Sequence, residues 1–485
     1  MPDQQRHVIV IGAGISGLAT AYALARQGFE VTVVEQASRV GGCIWSQRTP
    51  EGYLIEHGPN SLLNLNPEVD RLCDELGLTA ERVYQRPTSR RRYLVRGRAL
   101  TPVPSRVHQF PVTSLFSLRG KLRALAEPFV PARPTGAGDE SIASCIRRRF
   151  GSEVLDVAVE PFVAGLFAGD TEQLSMASSF PWVAALERNY GSIVGGLIRT
   201  RLARRVSRSS IQVFSFREGV GRLPEALHRS LGSRVRTGVA VRQIRVERYD
   251  GTARFVIEAE QRGEPVALRA ERIVVATPAG VAARLLEAMS PPLANQLEQI
   301  PYAPVGLVHV GIQRAALTRF PNGSGCLVPK TERLPILGSL WSSNVYPDRA
   351  PDGRVLLTNY VGGMRDSDVL KWSDTQLVRL VVDALRDLVG LVGVPEFVRV
   401  IRHPQAIPQF LLGHAQRVGS IDRWRAQWPG LYLAGNYLHG VSVRDCLSQG
   451  VALADQIARD VATSATDEPE RVLRSQQLVS ARDGS

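Results

Sequence analysis

The apolar positions of the chain fall into a few recurring patterns. Residues 7–11 form a short uninterrupted apolar run, the mark of a strand buried on both faces. A glycine turn, a helix and a second strand ending in Glu35 follow. Strand, glycine turn and helix return at 213–231 and again from 430, and 272–276 reads as one more buried strand. Between these units the pattern changes. Alternating apolar residues predict a hairpin after Gly42 that leads into a loop at Gly58 and Pro59, and 67–78 reads as a short helix ended by Gly77. A second hairpin is expected at 92–95 and 99–102, turned at Arg96 and Gly97. Leu115, Leu118, Leu122, Leu125 and Phe129 then recur at three- and four-residue steps, with Arg119, Lys121 and Arg123 on other faces, which predicts an amphipathic helix. A linker leads into a helix over 141–150, and further helices end in a basic run at 198–208. Residues 285–420 mix strands with a helix over 375–389, and the polar residues 466–485 read as a disordered tail.

At 485 residues and 44% hydrophobic content, the chain can bury the cores of roughly three domains. Its five cysteines, Cys43, Cys73, Cys145, Cys326 and Cys446, are widely spaced and form no CxxC or Cys/His cluster. Neither a disulfide framework nor a metal site is indicated, and a cytoplasmic setting is expected. Six polar residues precede the first strand, too few for a signal peptide, and no run of 18 apolar residues is present. The net charge is +13, and residues 81–210 hold 21 Lys and Arg against 10 Asp and Glu, a net of +11. That region reads either as a helical subdomain with a solvated charged side or as a surface that dips apolar residues into anionic lipid. On the second reading each arginine near the headgroups contributes about 1 kcal/mol. No recognition fold or aromatic platform accompanies the charge, so nucleic acid is not expected as a partner.

The chemistry begins at the first turn. Gly12, Gly14 and Gly17 are spaced to turn the backbone hard, to approach a pyrophosphate and to pack a helix on the sheet, with Ala13, Ile15 and Ser16 completing the turn. Glu35 can accept hydrogen bonds from an adenosine ribose and would repel a 2′-phosphate, which excludes NADP. Arg39, Gly41 and Gly42 extend this into an ExxxRxGG pattern that resembles the FAD enzymes of the glutathione-reductase-like superfamily. The resemblance implies non-covalent FAD in a discontinuous Rossmann-type α/β domain built from 1–90, 211–284 and 421–465. Val241 is placed to meet the adenine. The helix that starts near Val443 aims a positive dipole end at the glycine turn, where it would stabilise reduced flavin.

Six stretches in order, GAGISGLATAYAL, EHGPNSLL, RRYLVRGRALTPVPS, PFVAGLFAGD, AIPQFLLGH and GNYLHGVSVRDC, resemble the protoporphyrinogen/coproporphyrinogen oxidase family. The resemblance implies a mixed α+β substrate domain over 285–420 and a helical membrane-association domain over 95–210. It implies six-electron oxidation of a porphyrinogen, with molecular oxygen as acceptor, at the inner face of the cytoplasmic membrane. Arg92 takes the position that pairs with a substrate propionate, Gly165 lies where a backbone carbonyl faces the pyrroles, and Leu327, Tyr360 and Ile407 sandwich the ring. No catalytic residue beyond FAD is implied. On the cofactor side the resemblance adds Arg39, Gly42, Cys43, Gly58, Pro59, Asn60, Ser61, Gly435, Val441, Ser442 and Val443. Cys446 matches no covalent flavin motif and reads as a small buried residue. The sequence departs from the family at Ser324, where many members carry an aromatic residue. That leaves coproporphyrinogen open beside protoporphyrinogen as substrate. A flavin amine oxidase, with Lys330 as its lysine, and a non-enzymatic escort protein are the rival readings, and a homodimer is also left open.

Overall fold

The structure, a computed structural model, describes residues 6–480 apart from 65–66, 107–108, 135, 204–211 and 250–251. The apolar runs form a five-stranded parallel sheet in the order Val235–Thr237, Glu30–Glu35, His7–Ile11, Arg272–Val275, Leu431–Leu433. Its strands come from three separated parts of the chain. Alternate residues face two different cores, as a sheet covered on both sides requires. Val8, Val10, Val31 and Val33 pack with the helices Ile15–Arg26 and Arg222–Leu231. Ile9, Ile11, Ile273 and Val275 pack with the helices Ala279–Leu286 and Pro291–Glu298. The last helix lies close along the first, since a Cβ at Gly450 would sit 2.9 Å from the Ala19 methyl.

A seven-stranded sheet forms the second body of β structure, in the order Phe397–Pro408, Tyr302–Gln313, Arg354–Gly362, Gly338–Leu340, Gly325–Leu327, Arg92–Arg96, Ala99–Pro102. One face packs on the helix Asp374–Val389, which is closed by a reciprocal cap between Ser373 and Gln376. The hairpin 92–102 therefore pairs with the sheet of the 285–420 segment, although the sequence places residues from 95 onward in the helical region. Its turn is at Gly97 and Arg98, both at positive φ (56° and 59°), one residue later than expected and as a two-residue hairpin loop prefers.

Two further expectations change. The amphipathic helix is shorter than the 115–129 pattern and spans Leu118–Leu125. It seats Gly120 against the Glu153 carboxylate and leaves Leu118, Leu122, Leu125 and Phe129 exposed at 59–87%, with Leu115 alone of that stripe buried. The chain end is helical from Val443 to Ser480, through most of the stretch read as disordered. Its Glu, Arg, Gln and Leu content favours helix locally even where polarity argues against a core. Residues 481–485 and much of the basic run 198–208 lie outside the described residues.

The helical region is held by a buried ionic cluster. Arg149 and Glu127, both fully buried, pair at 2.9 Å, and Glu127 also accepts the Ile193 and Val194 N–H groups at the start of the helix Ile193–Ala203. Glu140, Cys145 and Glu187 converge nearby, where both carboxylates are paired with Arg148. Several arginines of the region are thus paired, and the net +11 is the excess that these carboxylates leave. Arg82, Arg96, Arg98, Arg133 and Arg147 also have carboxylate partners.

Candidate functional site

The glycine turn after the first strand is built to leave room on one side only. Gly12 donates its N–H to the Val34 carbonyl at 2.8 Å and has φ +106°, and a Cβ there would lie 2.7 Å from the Ala276 carbonyl. A Cβ at Gly17 would lie 2.1 Å from the Gly12 carbonyl, so the helix sits directly on the turn. Gly14 has no atom within 4 Å of its missing Cβ. It borders open space at the start of the helix Ile15–Arg26, whose first turn has no side-chain cap. Uncapped N–H groups beside an open glycine suit an anionic pyrophosphate.

Glu35 is fixed at the end of its strand by two backbone donors, Ala13 N–H and Ala37 N–H, each at 2.8 Å. A carboxylate offers about four acceptor positions, so capacity for ribose hydroxyls remains. Gly41 N–H bonds the Ala13 carbonyl at 2.8 Å and brings Arg39 to Gly42 onto the turn. Arg39 lies 4.9 Å over Trp45, which stacks on His57 at 3.7 Å. Gly238 N–H joins the Ala37 carbonyl at 3.0 Å and anchors the strand Val239–Tyr249, which bulges after Val241. One feature escaped sequence reasoning. The buried Thr277 Oγ1 has no hydrogen-bond partner among the described residues, and its methyl lies 3.4 Å from the Gly12 Cβ position. The signal was a hydroxyl residue just past a central strand, at the sheet edge where α/β proteins bind ligands. An orphaned hydroxyl, an open glycine and a bracketed carboxylate at one crevice fit FAD.

On the flavin side, a Cβ at Gly58 would lie 2.4 Å from the Cys43 carbonyl, so Gly58, Pro59 and Cys43 are held close. Cys43 is accessible yet ringed by protein, and that surrounding pushes its thiol pKa up. Asn60 and Ser61 enter a chain in which Tyr346 OH donates to Ser61 Oγ (2.8 Å), Ser61 to Asn60 Oδ1 (2.9 Å) and Asn60 Nδ2 to Tyr360 OH (2.8 Å). This chain ties the flavin loop to the seven-stranded sheet. Past Gly435, Ser442 caps the last helix by accepting Asp445 N–H at 3.1 Å, between Val441 and Val443. Asp445 in that first turn pairs with Arg444. Cys446 is buried, and burial pushes its thiol up to about 12, so it is held protonated.

Three of the substrate-side residues, Arg92, Leu327 and Tyr360, share one sheet face. Paired positions run straight across the strands: Leu94, Leu327, Gly338, Tyr360, Leu307 and Ile401. Side chains directly opposite one another share a face, so Leu327 and Tyr360 stand on either side of Gly338, whose Cβ position lies 3.1 Å from Leu327 Cδ2. Arg92 pairs with Gly325, two positions from the Leu94–Leu327 pair, and so stands on the same face about 6.6 Å along. It is exposed and has no ion-pair partner among the described residues. Gly165 approaches from the helix Glu160–Phe167, where a Cβ would meet Leu327 Cδ2 at 2.6 Å. Ile407 packs with Tyr360 against Ala164, Ala303 and Leu307. Gly165 and Leu327 thus touch, Tyr360 and Ile407 share one apolar cluster with Ala164, and Arg92 stands farther out, on the strand beside that of Leu327. Ser324 turns its hydroxyl to the Arg91 carbonyl at 3.3 Å, and Lys330 stands exposed in a short turn.

Sequence reasoning also missed Glu56. It is buried at the end of the strand Leu54–Glu56 and accepts from Ser46 Oγ at 2.5 Å and Val220 N–H at 3.0 Å. Burial raises its pKa to about 7, against the lowering pull of Ser46 and Arg349. The neighbouring His57 is lowered to about 4 by burial and nearby cations, which leaves it neutral.

The flavin containing amine oxidoreductase family matches residues 15–458. The chain is 36% identical over 475 residues to the chloroplastic protoporphyrinogen oxidase of Oryza sativa subsp. japonica, covering 93% of this chain and 88% of that protein. It is 29% identical to the coproporphyrinogen III oxidase of Bacillus subtilis (strain 168), covering 93% and 98%. A crystal structure from Exiguobacterium sp. 255-15 superposes with a TM-score of 0.78 at 24% identity, covering 93% of this chain and 98% of that one. The chain belongs to the flavin containing amine oxidoreductase family, in its protoporphyrinogen/coproporphyrinogen oxidase branch, and is an FAD-dependent oxidoreductase.

Proposed function

We propose that this chain oxidises protoporphyrinogen IX to protoporphyrin IX in haem biosynthesis, removing six electrons in three two-electron rounds with molecular oxygen as final acceptor. The observation that carries the reading is the shared sheet face, on which an arginine with no ion-pair partner among the described residues stands in line with apolar Leu327 and Tyr360. Bound FAD supplies the two-electron acceptor, which oxygen restores with release of hydrogen peroxide. Leu327, Tyr360 and Ile407 hold the macrocycle, the Gly165 carbonyl accepts from pyrrole N–H groups, and Arg92 pairs with a propionate. Pyrrole nitrogen stabilises the cation left on the bridge carbon, so positioning matters more than a strong base. Neutral His57 and inward-held Glu56 agree with that division of labour.

Coproporphyrinogen III is the second reading. Ser324 makes a smaller and more polar wall than an aromatic residue, and the exposed run Arg90, Arg91 and Arg92 suits four carboxylates. Porphyrin fluorescence against time, in air, with each porphyrinogen at equal concentration separates the two. Faster emission with protoporphyrinogen, accompanied by peroxide, supports the first reading, and the reverse order replaces it with the second. No emission from flavin-loaded protein overturns both.

The exposed Leu118, Leu122, Leu125 and Phe129, beside the exposed Arg119, support peripheral attachment at the inner face of the cytoplasmic membrane. Among the described residues no helix is long and apolar enough to cross a membrane.

A further inference from the structure

Glu160 and Arg365 lie outside every motif considered above. Glu160 opens the helix that carries Gly165, directly after a wide π-type turn at Leu155–Val159. Arg365 follows the strand Arg354–Gly362 that carries Tyr360. The two side chains are only 14% and 12% exposed, and they pair through Arg365 Nε and Glu160 Oε1 at 2.7 Å. Arg365 Nη1 also donates to the Val328 carbonyl at 2.8 Å, and Glu160 Oε2 accepts the Lys330 N–H at 3.1 Å. Val328 and Lys330 sit one and three residues past Leu327. The other end of the Gly165 helix is held by the same loop, where Met364 N–H bonds the Ala168 carbonyl at 2.7 Å.

One ion pair thus joins the three segments that bring Gly165, Leu327 and Tyr360 together. We propose that Glu160 and Arg365 are positioning residues, a clamp that sets the spacing between the Gly165 helix and the Leu327–Tyr360 wall. This inference rests on the porphyrinogen reading above. A π-type turn interrupts the regular backbone ladder just before this helix, so the ladder of the preceding turns does not by itself fix where the helix sits. The fixed fork of a guanidinium can reach a carboxylate and a carbonyl at once, and a lysine cannot replace both contacts.

The test uses the full-length, FAD-loaded chain and porphyrin fluorescence with protoporphyrinogen IX or, if that reading prevails, coproporphyrinogen III. Arg365→Lys should raise KM at least fivefold, hold kcat within twofold and leave the flavin absorbance unchanged. In a Leu327→Ala background the same substitution should raise KM less than twofold, because the wall that the clamp places is gone. If Arg365→Lys does not accumulate as folded protein, Glu160→Gln carries the same two readings. A KM within twofold of the parent, or an undiminished effect in the Leu327→Ala background, overturns the clamp. A parent chain that oxidises neither porphyrinogen overturns the function and the clamp together, whereas an active parent with an unchanged variant overturns the clamp alone.

Discussion

Replacing Glu56 by Gln tests whether the buried carboxyl beside the flavin loop is held protonated by the fold. Burial raises its pKa from 4.5 to about 7, with Arg349 as the nearest opposing charge. Between those two values the native state keeps a proton that the unfolded chain has released. Stability from this group is therefore fully present below pH 4.5, falls as pH rises towards 7 and is lost above it. A shift of that size corresponds to about 3 kcal/mol at 1.36 kcal/mol per pH unit. Glutamine keeps an acceptor for the Val220 N–H and carries no charge at any pH. Chemical denaturation at pH 5, 6, 7 and 8 should show parent and Glu56→Gln nearly equal at pH 5. The variant should then gain steadily, to roughly 3 kcal/mol more stable than the parent at pH 8. Parallel pH profiles for the two proteins would refute the reasoning, as would a variant that loses ground at high pH.

Three further outcomes are expected. Arg92→Ala should raise KM for the porphyrinogen ten- to hundredfold, the loss of a charge-assisted contact of about 1.5–3 kcal/mol, with kcat preserved; a collapsed kcat at unchanged KM would assign Arg92 another role. Tyr360→Phe keeps the ring wall but strips Asn60 Nδ2 of its acceptor, and should cost about 1–3 kcal/mol in denaturant unfolding. Joint substitution of Leu122 and Leu125 by Glu should reduce co-sedimentation with anionic vesicles at least tenfold, in high as well as low salt, because burial of leucine and not charge alone would hold the surface down.

The cofactor half of this site was legible because its signals are local. A strand, three glycines, a helix and an acid follow one another within the first 35 residues, and the backbone between them has few ways to fold. The substrate half is assembled differently. Arg92 finds Gly325, and Leu327 finds Gly338 and Tyr360, through pairings between strands that lie far apart in the chain. Periodicity specifies a strand but not its neighbour, so these residues were reached through family resemblance. The placement of the hairpin 92–102 went astray for the same cause.

Periodicity also cannot say which side of a face meets water. Leu118, Leu122 and Leu125 recur as a core stripe would, and the structure turns them outward because Gly120 and Ser117 are taken by Glu153 on the opposite side. Charge counting had the converse weakness. The net +11 of residues 81–210 does not say which arginines carry it: Arg148 and Arg149 pair with Glu140, Glu187 and Glu127 in the helical region, so the excess lies on others. The exposed surface is uneven: besides scattered arginines it carries a short arginine run at the start of the substrate sheet and an apolar stripe on a small helix. On the proposed function the first would meet carboxylates of a substrate, and the second would meet lipid. A single basic segment therefore presents two chemically distinct surfaces, and only the pairing of its side chains separates them.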